Sequence, residues 1–203
     1  MQPSGSVRFF DDQFQRQLRE QDLHLNPFEQ LALPYLRDSV LDYGCGLGNL
    51  AVAAARRGCS VHALDASPTA IGHLRGVARA DGLAIRAEQA DLRTHAIGEE
   101  YDAVVCIGLL MFFECALAHA QLQSLMAHVR PSGIAVVNVL VEGTTYLGMF
   151  DPQGYCLFGR DELKAVFAGW ELLHFEQQDF PAPNGAVKCF ATVVARKPGS
   201  SAG

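Results

Sequence analysis

Long basic runs are missing from this chain. No stretch of Lys or Arg exceeds two residues and the formal net charge is −6, so the electrostatic footprint of a nucleic-acid binder is lacking and no nucleic-acid partner is expected. No apolar segment reaches the ~18 residues that a membrane span requires, so no membrane association is expected either. The first residues, Met1-Gln2-Pro3-Ser4-Gly5-Ser6, carry neither a basic region nor an apolar one, which predicts no export signal. Cysteine is present but unclustered: Cys45, Cys59, Cys106, Cys115, Cys156 and Cys189 form no CxxC pair, so a structural zinc or other metal site is not expected. Several of them lie in apolar runs, as buried free thiols do, and a cytoplasmic location follows as the expectation. A GxxxxGK[ST] loop is absent too, which removes the usual way of cradling a nucleoside triphosphate.

What is there suits one globular domain. The 203 residues are 49% hydrophobic and 19% charged, enough for a sizeable core and too apolar for disorder. Residues 1–37 read as an N-terminal helical arm. Phe10, Phe14 and Leu18 recur every four residues among polar ones, giving an amphipathic helix. Asn26-Pro27-Phe28-Glu29 then has the form of a capped second start, with Asn26 as N-cap, Pro27 at N1 and Glu29 at N3. The arm serves equally well as edge packing or as a lid whose aromatics close a pocket.

Residues 38–197 alternate strand and helix patterns. Strands are expected at 39–43, 61–64, 84–87, 103–107 and 134–141, with helices at 48–57 and 68–80 and another carrying Leu122, Leu125, Met126 and Val129. Pro131-Ser132-Gly133 is expected to break that last helix. Residues 142–159 are too irregular for one element. A short helix at 161–168 and two strand-like runs, 171–180 and 187–195, follow, joined by a turn containing Asn184-Gly185. Residues 198–203 are expected to be a disordered tail. The fold class expected is α/β: a doubly wound, Rossmann-like, mostly parallel seven-stranded sheet with a C-terminal antiparallel hairpin and the N-terminal helical arm. Its ligand belongs at the carboxyl ends of the first, second and fourth strands.

The run Val40-Leu41-Asp42-Tyr43-Gly44-Cys45-Gly46-Leu47-Gly48-Asn49 marks that place. A strand ends in an acid, three glycines alternate, and an alanine-rich helix begins. Gly44 and Gly46 admit a close backbone approach that a Cβ would block. Asp42, Asp65 and Asp91 each end a strand and so share one crevice. Asp65 falls about 20 residues after the turn, where an acceptor-only carboxylate can take both hydroxyls of a ribose. Asp91 is positioned for an exocyclic adenine amine, and Asp42 for a cationic part of the ligand. The glycine order lacks the third glycine of GxGxxG, which argues against a pyrophosphate and so against a nicotinamide-dependent reductase.

These residues resemble the first motif of the class I S-adenosylmethionine-dependent methyltransferases. The similarity extends to Asp65, Asp91-Leu92, Tyr101-Asp102-Ala103-Val104-Val105 and Arg130-Pro131-Ser132-Gly133. Leu110-Met111-Phe112-Phe113, Tyr155-Cys156-Leu157-Phe158 and Gly169-Trp170-Glu171 are similar to the tellurite-resistance group within that family. That group's His-Arg pair and further Arg before the last strand have no counterpart in residues 177–186, so the resemblance does not bring an oxyanion site with it. What it implies is S-adenosylmethionine as cofactor, S-adenosylhomocysteine as product, and methyl transfer by in-line displacement to a small-molecule acceptor. Asp42, Gly44 and Gly46 would hold the methionine part, Asp65 with Ala66 the ribose, Asp91 and Leu92 the adenine. Ile107 and Gly108 would line the sulfonium.

Acceptor contacts are expected from Phe10, Phe14, Met111, Phe112, Tyr146, Phe150 and Tyr155, an aromatic wall that suits an apolar or polarisable molecule. Several of them would equally serve as core. The seven histidines show no partner at catalytic spacing and none is assigned as a base, leaving the catalytic residue unassigned. A binding module that holds the same cofactor without transferring its methyl is the rival reading, and the assembly is expected to be a monomer or homodimer.

Overall fold

A computed structural model describes residues 5–151 and 154–199, and the expected tail therefore lies mostly outside the described residues, as do residues 1–4 of the arm. Helix α1 (Gly5–Glu20) carries the aromatic stripe, and α2 (Pro27–Ala32) follows after a short connection. Six residues are too few for a helix to persist unaided. Here Asn26 Oδ1 accepts from the Phe28 and Glu29 amides at 2.9 and 3.0 Å, and Glu29 Oε2 accepts from the Asn26 amide at 2.7 Å. The reciprocal cap is the one the sequence spells out, and such a cap contributes about 1 kcal/mol.

The sheet elements follow in order: β1 (Ser39–Tyr43), α3 (Asn49–Arg56), β2 (Ser60–Asp65), α4 (Pro68–Asp81), β3 (Ile85–Gln89), β4 (Tyr101–Ile107), α5 (Cys115–Ala127), β5 (Val129–Leu140), α6 (Glu162–Val166), β6 (Glu171–Pro181) and β7 (Val187–Arg196). They form one seven-stranded sheet in the order β3-β2-β1-β4-β5-β7-β6. The first five strands pair in parallel, while β7 inserts antiparallel between β5 and β6. The chain winds outward from β1 to the β3 edge, then returns to β4 on the other flank of β1. The strand order reverses between β1 and β4, so a crevice opens beyond their carboxyl ends.

Both faces of the sheet are covered, and the strands alternate between two cores. Leu41, Tyr43, Val104, Cys106, Ala135 and Val137 pack on one face with α5 residues such as Leu122 and Leu125. Val40, Ala103, Val105, Ile134 and Val136 pack on the other against Ala51, Ala54, Ile71 and Leu74 of α3 and α4. Each fully buried valine or leucine contributes about 1.5–3 kcal/mol, which fixes the register and with it the heights of the strand ends.

Three details depart from the sequence reading. Helix α5 stops at Ala127, and Val129 opens β5 opposite Tyr101 instead of closing a helical face. Pro131 does not break a helix; it sits inside β5, where the register to β4 shifts between Tyr101 and Ala103 and the exposed backbone needs no N–H there. Cys115 and Cys156 are joined in a disulfide that ties the start of α5 to the irregular segment, while Cys45, Cys59, Cys106 and Cys189 are free and buried. Among the described residues no helix is long and apolar enough to cross a membrane.

Candidate functional site

A cavity of about 580 Å³ lies over the carboxyl ends of β1, β2 and β4. Asp42, Gly44, Gly46, Asp65, Ala66, Asp91, Leu92, Ile107 and Gly108, the residues expected to hold an adenosyl ligand, all line it. They arrive from four separate strand ends, so the sheet alone brings them together.

The glycine turn forms the floor. The amides of its first three residues are already engaged: Gly44 and Cys45 both donate to the Leu64 carbonyl at 2.8 and 3.0 Å, and Gly46 donates to Asp65 Oδ2 at 2.9 Å. A loop built to cradle phosphate needs those N–H groups free and pointing at the ligand. This floor instead offers side-chain carboxylates. Asp65 also accepts from the Ser67 amide at 2.8 Å, which holds both of its oxygens in place beside the cavity. Burial raises its pKa, and the donated backbone hydrogen bonds work against that shift.

Asp42 is the most constrained of the acids. It is 5% exposed, and its Oδ2 has no hydrogen-bond partner. Burial, with Glu29 and Asp65 nearby, pushes its pKa up to about 8. A buried carboxylate oxygen without a donor is costly, and a cation arriving in the cavity removes that cost. Glu29 is raised in the same direction, again by burial. Just beyond β3, Asp91 is held bidentately by Arg93, Nε to Oδ1 at 2.9 Å and Nη2 to Oδ2 at 2.7 Å, and this pairing keeps its carboxyl below the usual range. Tyr43, the buried last residue of β1, donates its hydroxyl to the Leu92 carbonyl at 2.8 Å and so fixes the backbone next to Asp91.

The roof comes from α1 and the segment after β4. Phe10 meets Phe112 edge to face at 4.8 Å, and a Cβ on Gly46 would lie 3.2 Å from the Phe14 ring. Asp11 fastens α1 to the start of α4, accepting from Ser67 Oγ, and from Thr69 Oγ1 at 3.0 Å. Of the expected acceptor contacts, Phe10, Phe14 and Phe112 line the cavity. Met111, Phe150 and Tyr155 do not. The 3-10 turn Leu110–Phe112 directs Met111 inward, where it packs with Leu140 and Phe150 in a separate cluster that Tyr155 joins. Tyr146 is outside as well, beneath the Lys188 ammonium at 4.8 Å from its ring centroid.

Several lining residues carry no mark in the motif reading: Gln13, Gln17, His24, Asn26, Glu29 and Glu114. The signal for two of them was available. Phe10, Gln13, Phe14 and Gln17 follow i, i+3, i+4, i+7 and share one helical face, rotated from the Phe10-Phe14-Leu18 stripe. Asn26 and Glu29 read as a helix cap and nothing more, although the cap leaves them facing the crevice. His24 is the histidine that lines the cavity among the described residues; His62, His119 and His174 have acidic partners elsewhere.

A methyltransferase-domain family model matches residues 40–133. The chain is 30% identical over 164 residues to a ubiquinone biosynthesis O-methyltransferase of Actinobacillus pleuropneumoniae, covering 73% of this chain and 69% of that one. It is 29% identical over 165 residues to hemagglutinin 1 of Eikenella corrodens, covering 78% of this chain and 54% of the relative. The chain spans about half the length of the first curated relatives it matches. Among solved structures, TehB of Haemophilus influenzae superposes with a TM-score of 0.72 at 23% identity, over 84% of this chain and 61% of that one, and shares the fold.

Proposed function

Since the chain belongs to the S-adenosylmethionine-dependent methyltransferases, we propose that its cavity binds S-adenosylmethionine and transfers the methyl group to a small molecule. The observation that carries this reading is the partnerless, buried Oδ2 of Asp42 in a cavity where the amides of the turn glycines are spent internally. A pyrophosphate would find the amides of Gly44, Cys45, Gly46 and Gly48 already spent. A protonated amino group finds two carboxylates, Asp42 and Glu29.

The residues fit the ligand part by part. Asp65, its oxygens oriented by the Gly46 and Ser67 amides, accepts the two ribose hydroxyls. Asp91 accepts from the adenine amine, and the Leu92 backbone, steadied by Tyr43, presents its edge to the ring. Asp42 and Glu29 take the ammonium. Bound there, S-adenosylmethionine supplies an electrophilic methyl on a sulfonium, whose departure as a neutral thioether requires no acid from the protein. The work of the chain is to align and to exclude water. Ile107 and Gly108, with Phe10, Phe14 and Phe112, line the same cavity and would enclose the reacting end. Holding two reactants in line this way is worth effective molarities of roughly 10⁵–10⁸ M.

Calorimetric titration tests the reading. S-adenosylhomocysteine is expected to bind the full chain and NADH is not. Replacing Asp65 with Ala is expected to weaken S-adenosylhomocysteine by about 10- to 100-fold, the value of charge-assisted hydrogen bonds to a ribose. Binding of NADH alone would defeat the proposal, and an unchanged affinity in the Asp65 variant would remove the ribose role.

A further inference from the structure

The electrostatics of the cavity bear on the acceptor as well as the donor. Glu29, Asp42, Asp65, Asp91, Glu114 and Asp151 all line it. Against these six carboxyl groups, Arg93 is the only arginine or lysine among the described lining residues, and Asp91 already holds its guanidinium bidentately. Asp42, 5% exposed with an oxygen left unpaired, faces the donor's ammonium, and Glu114 and Asp151 are the two carboxyl groups of this lining that the donor does not use. S-adenosylmethionine brings a single net positive charge, which leaves this lining acidic after it has bound. Over the same space lie flat apolar surfaces, with Phe10 and Phe112 in edge-to-face contact and Phe14 stacked on Phe10 at 6.1 Å.

Resting on the methyl-transfer reading above, we propose that the acceptor is a flat, nitrogen-bearing ring compound that enters uncharged or as a cation, and that carboxylates and oxyanions are rejected. Two arguments carry this. An anionic acceptor must enter a low-dielectric site lined by carboxylates with no free arginine or lysine among the described lining residues, which opposes its binding. A neutral amine meets the opposite situation. Its nitrogen lone pair forms the new N–C bond while the C–S bond breaks and its electron pair stays on sulfur. Positive charge therefore grows on nitrogen in the transition state, inside a lining where carboxyl groups outnumber arginine and lysine, which favours it. An acceptor that enters as an ammonium first releases a proton to solvent, which frees that lone pair; after transfer any remaining N–H proton leaves to solvent, and a ring nitrogen without one departs as the methylated cation. Aromatic walls suit both the flat ring and its developing charge.

The test uses one ring in three charge states. With the full chain saturated by S-adenosylhomocysteine, the binding of benzylamine, benzyl alcohol and benzoate is measured by saturation-transfer NMR, with selenite as a small oxyanion competitor. Benzylamine and benzyl alcohol are expected to bind at least about tenfold more tightly than benzoate, and selenite is expected not to displace them. A Glu114→Lys variant, changed at the exposed rim, is expected to narrow the benzylamine-to-benzoate ratio several-fold. Benzoate or selenite binding as tightly as benzylamine overturns the proposal, and so does a saturated complex that takes none of the rings. If S-adenosylhomocysteine itself fails to bind, the methyl-transfer reading falls first and this inference goes with it.

Discussion

The floor and the roof of the cavity are built by different means. The floor is backbone: a turn whose amides bond to Leu64 and Asp65, and acids whose positions follow from the register of parallel strands. The roof is side chain: a helix laid across the opening, fastened by Asp11 and by the contacts of Phe10 and Phe14. Shifting the floor means breaking sheet hydrogen bonds and two buried cores. Shifting the roof means losing a handful of exposed or half-buried contacts. On the proposed reading, the floor would hold the donor, and the roof would govern closure and what enters beside it.

Two glycines of the same turn separate these cases most strongly. Gly48 has φ +78° and caps α3, and a Cβ there would fall 2.6 Å from Leu74 of α4. Both sides of that contact belong to the floor, and neither can give. Replacement by Ala is expected to destabilise the fold by about 2–4 kcal/mol, combining left-handed strain with overpacking, read by urea denaturation. At Gly46 the φ is +53°, but the colliding atom is the Phe14 ring of α1. There Ala is expected to cost about half as much, because the roof moves aside. Equal losses in the two variants would mean that the roof is as rigid as the floor, and the comparison would fail.

The same division explains what the sequence could disclose. Strand β1, the cap at Asn26, the stop at Gly82 and the acids at 42, 65 and 91 are local features, each dictated by residues within a turn of chain. Parallel alternation then places them by rule. The β5 boundary was not legible, because Pro131 reads as a helix breaker unless the register shift opposite Tyr101 is known. Met111 and Phe112 are adjacent in sequence and pack in one cluster with Phe150, yet only Phe112 also reaches the cavity, and the turn that sets this difference has no signature in composition. The Cys115–Cys156 pair spans 41 residues, and nothing in scattered cysteines states which two will meet. Glu29 was read correctly as a cap and missed as a cavity carboxylate, since one side chain does both.

A proton-linked effect of intermediate size belongs to the floor. Asp42 is raised from 3.8 to about 8 by burial and by Glu29 and Asp65, so the folded protein keeps a proton that the unfolded chain gives up near pH 4. Between those values the unfolded state binds fewer protons. The stability of the ligand-free protein contributed by this group is thus full below about pH 4 and declines as pH rises toward 8, by up to about 1 kcal/mol per pH unit. A cationic ligand favours the ionised form, so affinity for S-adenosylhomocysteine is expected to rise with pH over the same window. Replacing Asp42 with Asn should flatten both profiles, measured by thermal unfolding and by calorimetry. Profiles that keep their slopes in the variant would assign the proton to another group.

The smallest effect expected is the most telling about the roof. Asp11 sits at the N-terminus of α4, where the helix dipole favours an anion, and it accepts from Ser67 and Thr69. Burial works to raise its pKa, but those hydrogen bonds outweigh it and hold the carboxyl below its ordinary value. Its contribution is therefore present above about pH 4 and lost as the solution is acidified through the lowered pKa. Replacement of Asp11 with Ala is expected to cost about 1 kcal/mol or less, a partly exposed charge-assisted contact discounted for screening. Amide exchange is the sensitive readout. Exchange should speed up along α1 while β1, β2 and β4 keep their protection, and S-adenosylhomocysteine should bind several-fold more weakly. If protection falls equally in the strands, Asp11 is a structural tie of the whole domain. If α1 exchanges as before, the aromatic contacts alone hold the roof, and closure is governed by Phe10 and Phe14.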